Sequence, residues 1–376
     1  MKYLLALLIA SLSLPSVAQV SSEFKLQWKR DFPNARWAKI KSAPAPRKLL
    51  NNPITGLNDK KFEALANFQM DRLGASALVI AKGNNIVYQS YPDGEPRSDL
   101  PRLGFSMSKS VTAITLGVAH CRGDINSLDV AAAIYLEDLE STSWGRATIR
   151  QLLAMSSGSA QQTDIYTGNV SESARKRLRG VYWGEHSDSF AKVMEKYDEN
   201  ARPPGTTFKY NNFDTLALSM IVENASGKPF YRFFEDHVVP IIGLENKSKW
   251  LTNTYGQTSS YQGFSATPLD WIRVGRFTLE TLTDTSETAF NKCLTNYMGE
   301  MTSLQIDADD KLDGGYGFQT WVNCGNSADF CFIGWGGQYL LLNVEKDLIM
   351  YMSSRSEKPT GWATREFFDS IVSRLQ

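Results

Sequence analysis

The chain has 376 residues, and its 40 Lys and Arg balance 40 Asp and Glu. A near-neutral surface leaves no electrostatic footprint for nucleic acid or an anionic membrane. The length is enough to bury a large core, and the sequence holds no repeat, low-complexity tract or obvious linker.

At the N-terminus, Lys2, the apolar run Leu4–Leu14 and Ser16-Val17-Ala18 predict a secretory signal peptide over residues 1–18, cleaved after Ala18. The apolar run is too short for a membrane span. No cysteine lies near the cleavage site, so no membrane anchor is expected. Cleavage removes Lys2 and no acid, leaving 39 basic against 40 acidic groups. The expected location is secreted or periplasmic.

Asn58–Leu73 reads as a helix. Ala75–Ala81 and Ile86–Tyr91, joined through Gly83-Asn84-Asn85, read as a β-hairpin. Val111–Ala119 is apolar nearly all round and predicts a buried helix. Val130–Leu139 and Leu216–Val222 read as further helices. Strand-like runs lie near Phe318–Cys324, Phe330–Ile333, Tyr339–Val344 and Leu348–Met352, and Trp362–Leu375 closes the chain as a helix. Strands at both ends around a helical middle predict an α+β fold. Its mainly antiparallel sheet, flanked by helices, is built from both chain ends (45–125 and 255–376), with an inserted, mainly helical lobe (126–254). A ligand site is expected in the crevice between the two.

Four cysteines, an even count in an exported chain, permit disulfides. Cys324 and Cys331 flank a turn-like segment between two strand-like runs, so they are placed to bridge a hairpin. Cys121 and Cys293 are then the remaining pair. No Cys/His spacing suggests zinc.

The chemistry concentrates at Gly104-Phe105-Ser106-Met107-Ser108-Lys109. A serine hydroxyl needs a proton acceptor to become a nucleophile, and a lysine three residues on projects from the same helical face. At the first turn, unpaired backbone N–H groups and the helix dipole favour developing negative charge. Burial of the helix would disfavour a charged lysine and suit Lys109 to proton transfer. The motif alone is weak, because Ser-x-x-Lys occurs four times. Ser22/Lys25 follows the cleavage site, Ser173/Lys176 lies in a polar run, and Ser189/Lys192 belongs to an amphipathic segment. Only Ser106/Lys109 opens a buried helix. The plain alternative makes Ser106 an N-cap and Lys109 an exposed helix residue.

Pro203-Pro204-Gly205 and a short β-prone run deliver Tyr210 to a loop ahead of the helix at Leu216–Val222. A phenol there can share a proton with Ser106 and Lys109 and hand it to a leaving group. The plain alternative is a tyrosine whose ring fills the core while its hydroxyl meets water. His120, His186 and His237 sit where surface or capping roles are expected, and no Gly-x-Ser-x-Gly elbow exists.

Ser106-x-x-Lys109 and Tyr210-Asn211-Asn212, with Thr148–Gly158 and Pro268–Arg276, resemble the serine β-lactamase-like superfamily of penicillin-recognising proteins on its class C branch. The resemblance covers about residues 45 to 376 in family order, and within it the chain is most similar to 6-aminohexanoate-dimer hydrolases and β-lactamase-like carboxylesterases. It implies a Ser-Lys-Tyr trio at Ser106, Lys109 and Tyr210. It implies an oxyanion hole from the N–H of Ser106 and a second N–H in Ile333-Gly334-Trp335-Gly336-Gly337-Gln338: Trp335, or Gln338 if the gap falls differently. Asn212 is implied to orient Lys109 or the acyl group. The family's Lys-Thr-Gly or His-Thr-Gly is missing, which removes the cation that holds a substrate carboxylate and argues against β-lactams.

The sequence therefore reads as an exported serine hydrolase that cleaves esters or amides of small molecules through an acyl-enzyme on Ser106, with no cofactor or metal required. Lys109 and Tyr210 are both open as the base, because the trio titrates as a unit. Three rivals stand: a D-Ala-D-Ala carboxypeptidase or β-lactamase, a non-catalytic penicillin-binding-like receptor, and a transesterase or amide synthetase using the same acyl-enzyme.

Overall fold

The computed structural model describes residues 36–54, 56–91, 98–159, 189–196, 198, 202–308, 314–356 and 360–375. The signal segment, Ser22/Lys25, Ser173/Lys176 and His186 lie outside the described residues.

In chain order the elements are β1 (Arg36–Ile40), β2 (Leu50–Asn51), α1 (Lys60–Leu73), β3 (Ala75–Lys82), β4 (Asn85–Ser90), β5 (Arg102–Leu103) and α2 (Met107–Arg122). Next come α3 (Ser143–Arg146), α4 (Ile149–Leu153), α5 (Phe190–Lys196), α6 (Asn212–Ser226), α7 (Phe230–Phe233) and α8 (Val239–Ile242). The chain continues with β6 (Ser248–Thr252), β7 (Phe264–Ala266), α9 (Pro268–Leu282) and α10 (Ala289–Met301). It ends with β8 (Gly315–Tyr316), β9 (Trp321–Val322), β10 (Phe330–Gly334), β11 (Gln338–Asn343), β12 (Leu348–Ser354) and α11 (Gly361–Arg374).

The main sheet runs β2-β4-β3-β12-β11-β10-β9-β8. Every pairing in it is antiparallel except β2 with β4. At its centre β3, from the first quarter of the chain, pairs with β12, from the last (Val79 opposite Tyr351). The sheet is thus built from both chain ends, as the sequence predicts.

Period-two alternation sorts its side chains onto two faces. Val79, Leu340, Leu342, Ile349, Tyr351 and Phe332 enter the larger core, which includes residues of α2, α6, α9 and α10. Leu78, Ile80, Leu341, Met350 and Met352 enter a second core with Phe62 of α1 and Phe367 and Phe368 of α11. Covering both faces explains why these strands read as nearly continuous apolar runs.

Three features differ from the sequence expectation. Val130–Leu139 is not one helix but two 3-10 turns, Ala132–Ile134 and Glu137–Leu139. Ala131 is held extended in a bridge to Thr148, and Ala132 N–H donates to Ala147 O, so tertiary pairing overrides the helix propensity of the alanines. Phe318–Cys324 is not one strand: residues 317–320 turn between β8 and β9, closed by Gly317 N–H to Thr320 O at 2.8 Å. A second, four-stranded sheet, β1-β6-β7-β5, forms from segments too short to signal themselves. Both disulfides form as expected. Cys324–Cys331 staples the β9–β10 connection, and Cys121–Cys293 ties the end of α2 to α10.

Candidate active site

The candidate nucleophile segment is set by backbone geometry. Phe105 has φ +48°, a left-handed conformation uncommon for an aromatic residue, and it delivers Ser106 to the head of α2. Ser106 makes no side-chain cap bond, so the N-capping alternative fails. The exposed-lysine alternative fails as well: Lys109 is 1% exposed. Its Nζ lies in hydrogen-bond contact with Ser106 Oγ at 3.0 Å and donates to the carbonyl of Tyr261 at 3.1 Å. Around this pair α2 is buried from Met107 to Ala119, where Ser108 Oγ accepts from Phe264 N–H and anchors the helix to β7.

Tyr210 reaches the same point from the helical region. Lys109 Nζ stands 4.8 Å from the centre of its ring and 5.5 Å from that of Tyr261, so two aromatic faces flank the amine. Asn211 caps α6 by accepting from Phe213 N–H, which fixes the chain direction just past Tyr210. Asn212 is the first residue of α6 and is half-buried. Behind Tyr210, Trp321 stacks on its ring (5.7 Å, 16° between planes) and Tyr316 meets it edge-on.

The Tyr210 loop rests on the turn after α4. Thr148 and Gln151 form a reciprocal capping box at the start of α4. Past its end, Met155 O accepts from Lys209 N–H and Ser156 O from Gly205 N–H. Asp214, fully buried on α6, accepts from Ser157 Oγ (2.7 Å) and Trp144 Nε1 (2.9 Å). Burial pushes its carboxyl up to about 7, and the hydrogen bonds from Ser157 and Trp144 oppose that shift.

Opposite α2, the β10–β11 hairpin turns through Trp335-Gly336-Gly337, with both glycines at positive φ (+78° and +87°). Trp335 begins this turn, and its ring meets Phe105 edge-on at 5.4 Å. Gln338 instead pairs with Gly334 and Ser353 in the ladders, and its amide donates to Ser354 O. Ser106, Tyr210, Asn212 and Trp335 all keep partial solvent access.

Of the other candidates, Lys192 is exposed on α5, consistent with a surface pair at Ser189/Lys192. His120 Nδ1 contacts Ile125 O where α2 ends, and His237 packs on Phe233. Sequence reasoning missed the Tyr261 carbonyl, the strained Phe105, buried Asp214 and Gln319. Only Phe105 carried a signal, its position directly ahead of the candidate nucleophile.

With this geometry in place, comparison with known proteins decides the family. Residues 59–369 match the Beta-lactamase family. The chain belongs to that family. Its fold is similar to a candidate 6-aminohexanoate-dimer hydrolase of Bacillus anthracis (TM-score 0.73, 19% identity, 93% of each chain covered). It is also similar to a penicillin-binding protein of Bacillus halodurans (TM-score 0.61, 16% identity, covering 81% of this chain and 99% of that one). A class C β-lactamase of Rhodobacter sphaeroides aligns at TM-score 0.60 and 14% identity, covering 84% and 99%. No curated protein matches the chain by sequence. Family membership supports a serine-hydrolase type of activity, and these neighbours show the fold. Among the described residues, no helix is long and apolar enough to cross a membrane.

Proposed function

We propose that this β-lactamase-family protein is an exported serine hydrolase that cleaves neutral esters or simple amides through an acyl-enzyme on Ser106. The contact between Lys109 Nζ and Ser106 Oγ at 3.0 Å, inside a buried helix, carries the reading. An N–H bond from Lys109 to the Tyr261 carbonyl orients the amine. In its neutral form the amine can take the Ser106 proton as Oγ attacks the substrate carbonyl. In this reading the N–H groups of Ser106 and Trp335 hold the oxyanion, with Gln338 at the start of β11 as the alternative second donor. Tyr210 and Lys109 pass the proton to the departing alcohol or amine. Water then attacks the acyl-enzyme, releasing the acid and restoring the Ser106 hydroxyl. Asn212 orients the acyl group or Lys109. Ile333-Gly334-Trp335-Gly336-Gly337 contains no cation where the family carries Lys-Thr-Gly or His-Thr-Gly, which supports neutral substrates over β-lactams.

A fluorophosphonate tests this directly. It should add mass to one tryptic peptide containing Ser106, and Ser106→Ala should abolish the label. Labelling at Ser189 instead, or unchanged labelling of Ser106→Ala, would sink the proposal.

A further inference from the structure

The turn between β8 and β9 reaches all three helical elements that build the site. At its tip Gln319 is 1% exposed and has φ +51°, a left-handed conformation for a residue that gains nothing locally from it. Each of its hydrogen-bonding groups is engaged with a different part of the site's frame. Its N–H donates to Leu153 O at 2.8 Å, and its amide Nε2 donates to Leu152 O at 2.9 Å and Leu153 O at 3.3 Å, all at the end of α4. Its carbonyl accepts from Ser110 Oγ at 2.7 Å, one residue past Lys109 on α2. Its Oε1 accepts from Thr215 Oγ1 at 2.6 Å, one turn past Tyr210 on α6.

The arms of the same turn carry Tyr316 and Trp321, the two rings packed on Tyr210. Gly317 is required here, since a Cβ would come within 2.2 Å of Met301 O. The turn is therefore a wedge. Its flanks press the Tyr210 ring, and its tip spans the helix carrying Lys109 and the helix that follows Tyr210.

We propose that Gln319 is a positioning residue that sets the separation of Lys109 and Tyr210 by bonding α2, α4 and α6 at once. The inference rests on the serine-hydrolase reading of the site. It follows from the bonding pattern: a left-handed backbone persists only where its surroundings over-determine it, and four engaged groups on three elements do so. Loss of one arm loosens the Lys109–Tyr210 geometry without removing a group that touches substrate. A misplacement of about 1 Å is worth roughly 10²-fold in rate.

Two variant sets test it, with p-nitrophenyl butyrate turnover corrected for the Ser106→Ala background and Ser106 labelling by a fluorophosphonate. Gln319→Gly relieves the backbone strain and deletes the side-chain bonds. Thr215→Val deletes one of those bonds from the other side, and Thr215→Ser keeps the hydroxyl. Gln319→Gly and Thr215→Val should lower kcat by about 10- to 100-fold with KM changed less than about threefold, at wild-type near-UV circular dichroism, and Thr215→Ser should restore kcat. Should Gln319→Gly fail to fold, the Thr215 pair decides alone. Folded variants with wild-type kcat overturn the inference, as does loss of thermal stability with kcat unchanged. Wild-type protein that is not labelled at Ser106 overturns the hydrolase reading and the inference with it. A labelled wild type beside unaffected variants overturns the inference only.

Discussion

Gly334, at the end of β10, lies so close to the carbonyl of Gly104 that a Cβ on it would stand 2.1 Å from that oxygen. The strand edge and the head of the nucleophile helix are thus in backbone contact, which brings the turn at Trp335 next to Phe105 and Ser106. No side chain fits between them.

Gly334→Ala should therefore force β10 and the Gly104–Ser106 segment apart. The expected loss is about 1–3 kcal/mol of stability, as for other overpacked sites, together with a fall in ester turnover. Gly299→Ala is the control, because that helical glycine of α10 meets nothing within 4 Å. It should be neutral or stabilise by up to about 1 kcal/mol. Guanidinium titrations of both variants check the pair, and equal stabilities would refute the close-contact argument.

Lys109→Ala and Tyr210→Phe should each reduce kcat/KM by about 10²–10⁴ while the protein stays folded, the usual cost of losing a positioned proton-transfer group. Near-normal turnover in Tyr210→Phe would demote the phenol hydroxyl and leave only the ring, packed on Trp321, with a role.

Asp214 gives a pH signature to stability. Burial raises its folded-state pKa to about 7 from the ordinary aspartate value of 3.8. Between these values the unfolded chain releases a proton that the folded chain keeps, so this group's contribution is full below about pH 4 and declines as pH rises toward 7. Asp214→Asn removes the titration while keeping an acceptor for Trp144 and Ser157. Any fixed cost of the swap does not depend on pH. The difference in Tm, variant minus wild type, should therefore increase from pH 4 to pH 8. A difference that is flat across this range would show that the carboxyl titrates normally.

The proposed substrate preference rests on the absence of Lys-Thr-Gly or His-Thr-Gly from the sequence. A charge-assisted hydrogen bond is worth about 1.5–3 kcal/mol, or one to two decades of binding. A p-nitrophenyl ester should accordingly outperform nitrocefin in kcat/KM on one preparation. Nitrocefin turnover near ~10⁷ M⁻¹s⁻¹, close to the diffusional range, would reinstate the β-lactamase reading.

What the sequence made legible is what short-range spacing encodes. Ser106 and Lys109 are three apart on one helix, so their contact follows from helical geometry once burial is recognised. Cys324 and Cys331 are seven apart across a hairpin. What stayed hidden is carried by backbone atoms and by distance along the chain. The Tyr261 carbonyl meets Lys109 from 152 residues away, and any residue type could supply it. Gln319 bonds Leu152 and Leu153 from more than 160 residues away, so its strained backbone left no mark in local composition. Val130–Leu139 misled for the converse reason: its alanines favour helix, but Ala131 is claimed by Thr148.

Because β3 finds its central partner only in β12, which ends at residue 354, the sheet cannot close until the chain has been synthesised through that residue. The hairpin at Trp335 and the segment at Ser106 meet through that closure, so the site comes into being only after the chain through residue 354 has emerged. Contacts this distant in sequence are slow to form. A chain held unfolded until it has crossed a membrane would therefore carry no assembled site on the side where it was made. Its chemistry would be delayed by topology alone, with no inhibitory segment needed.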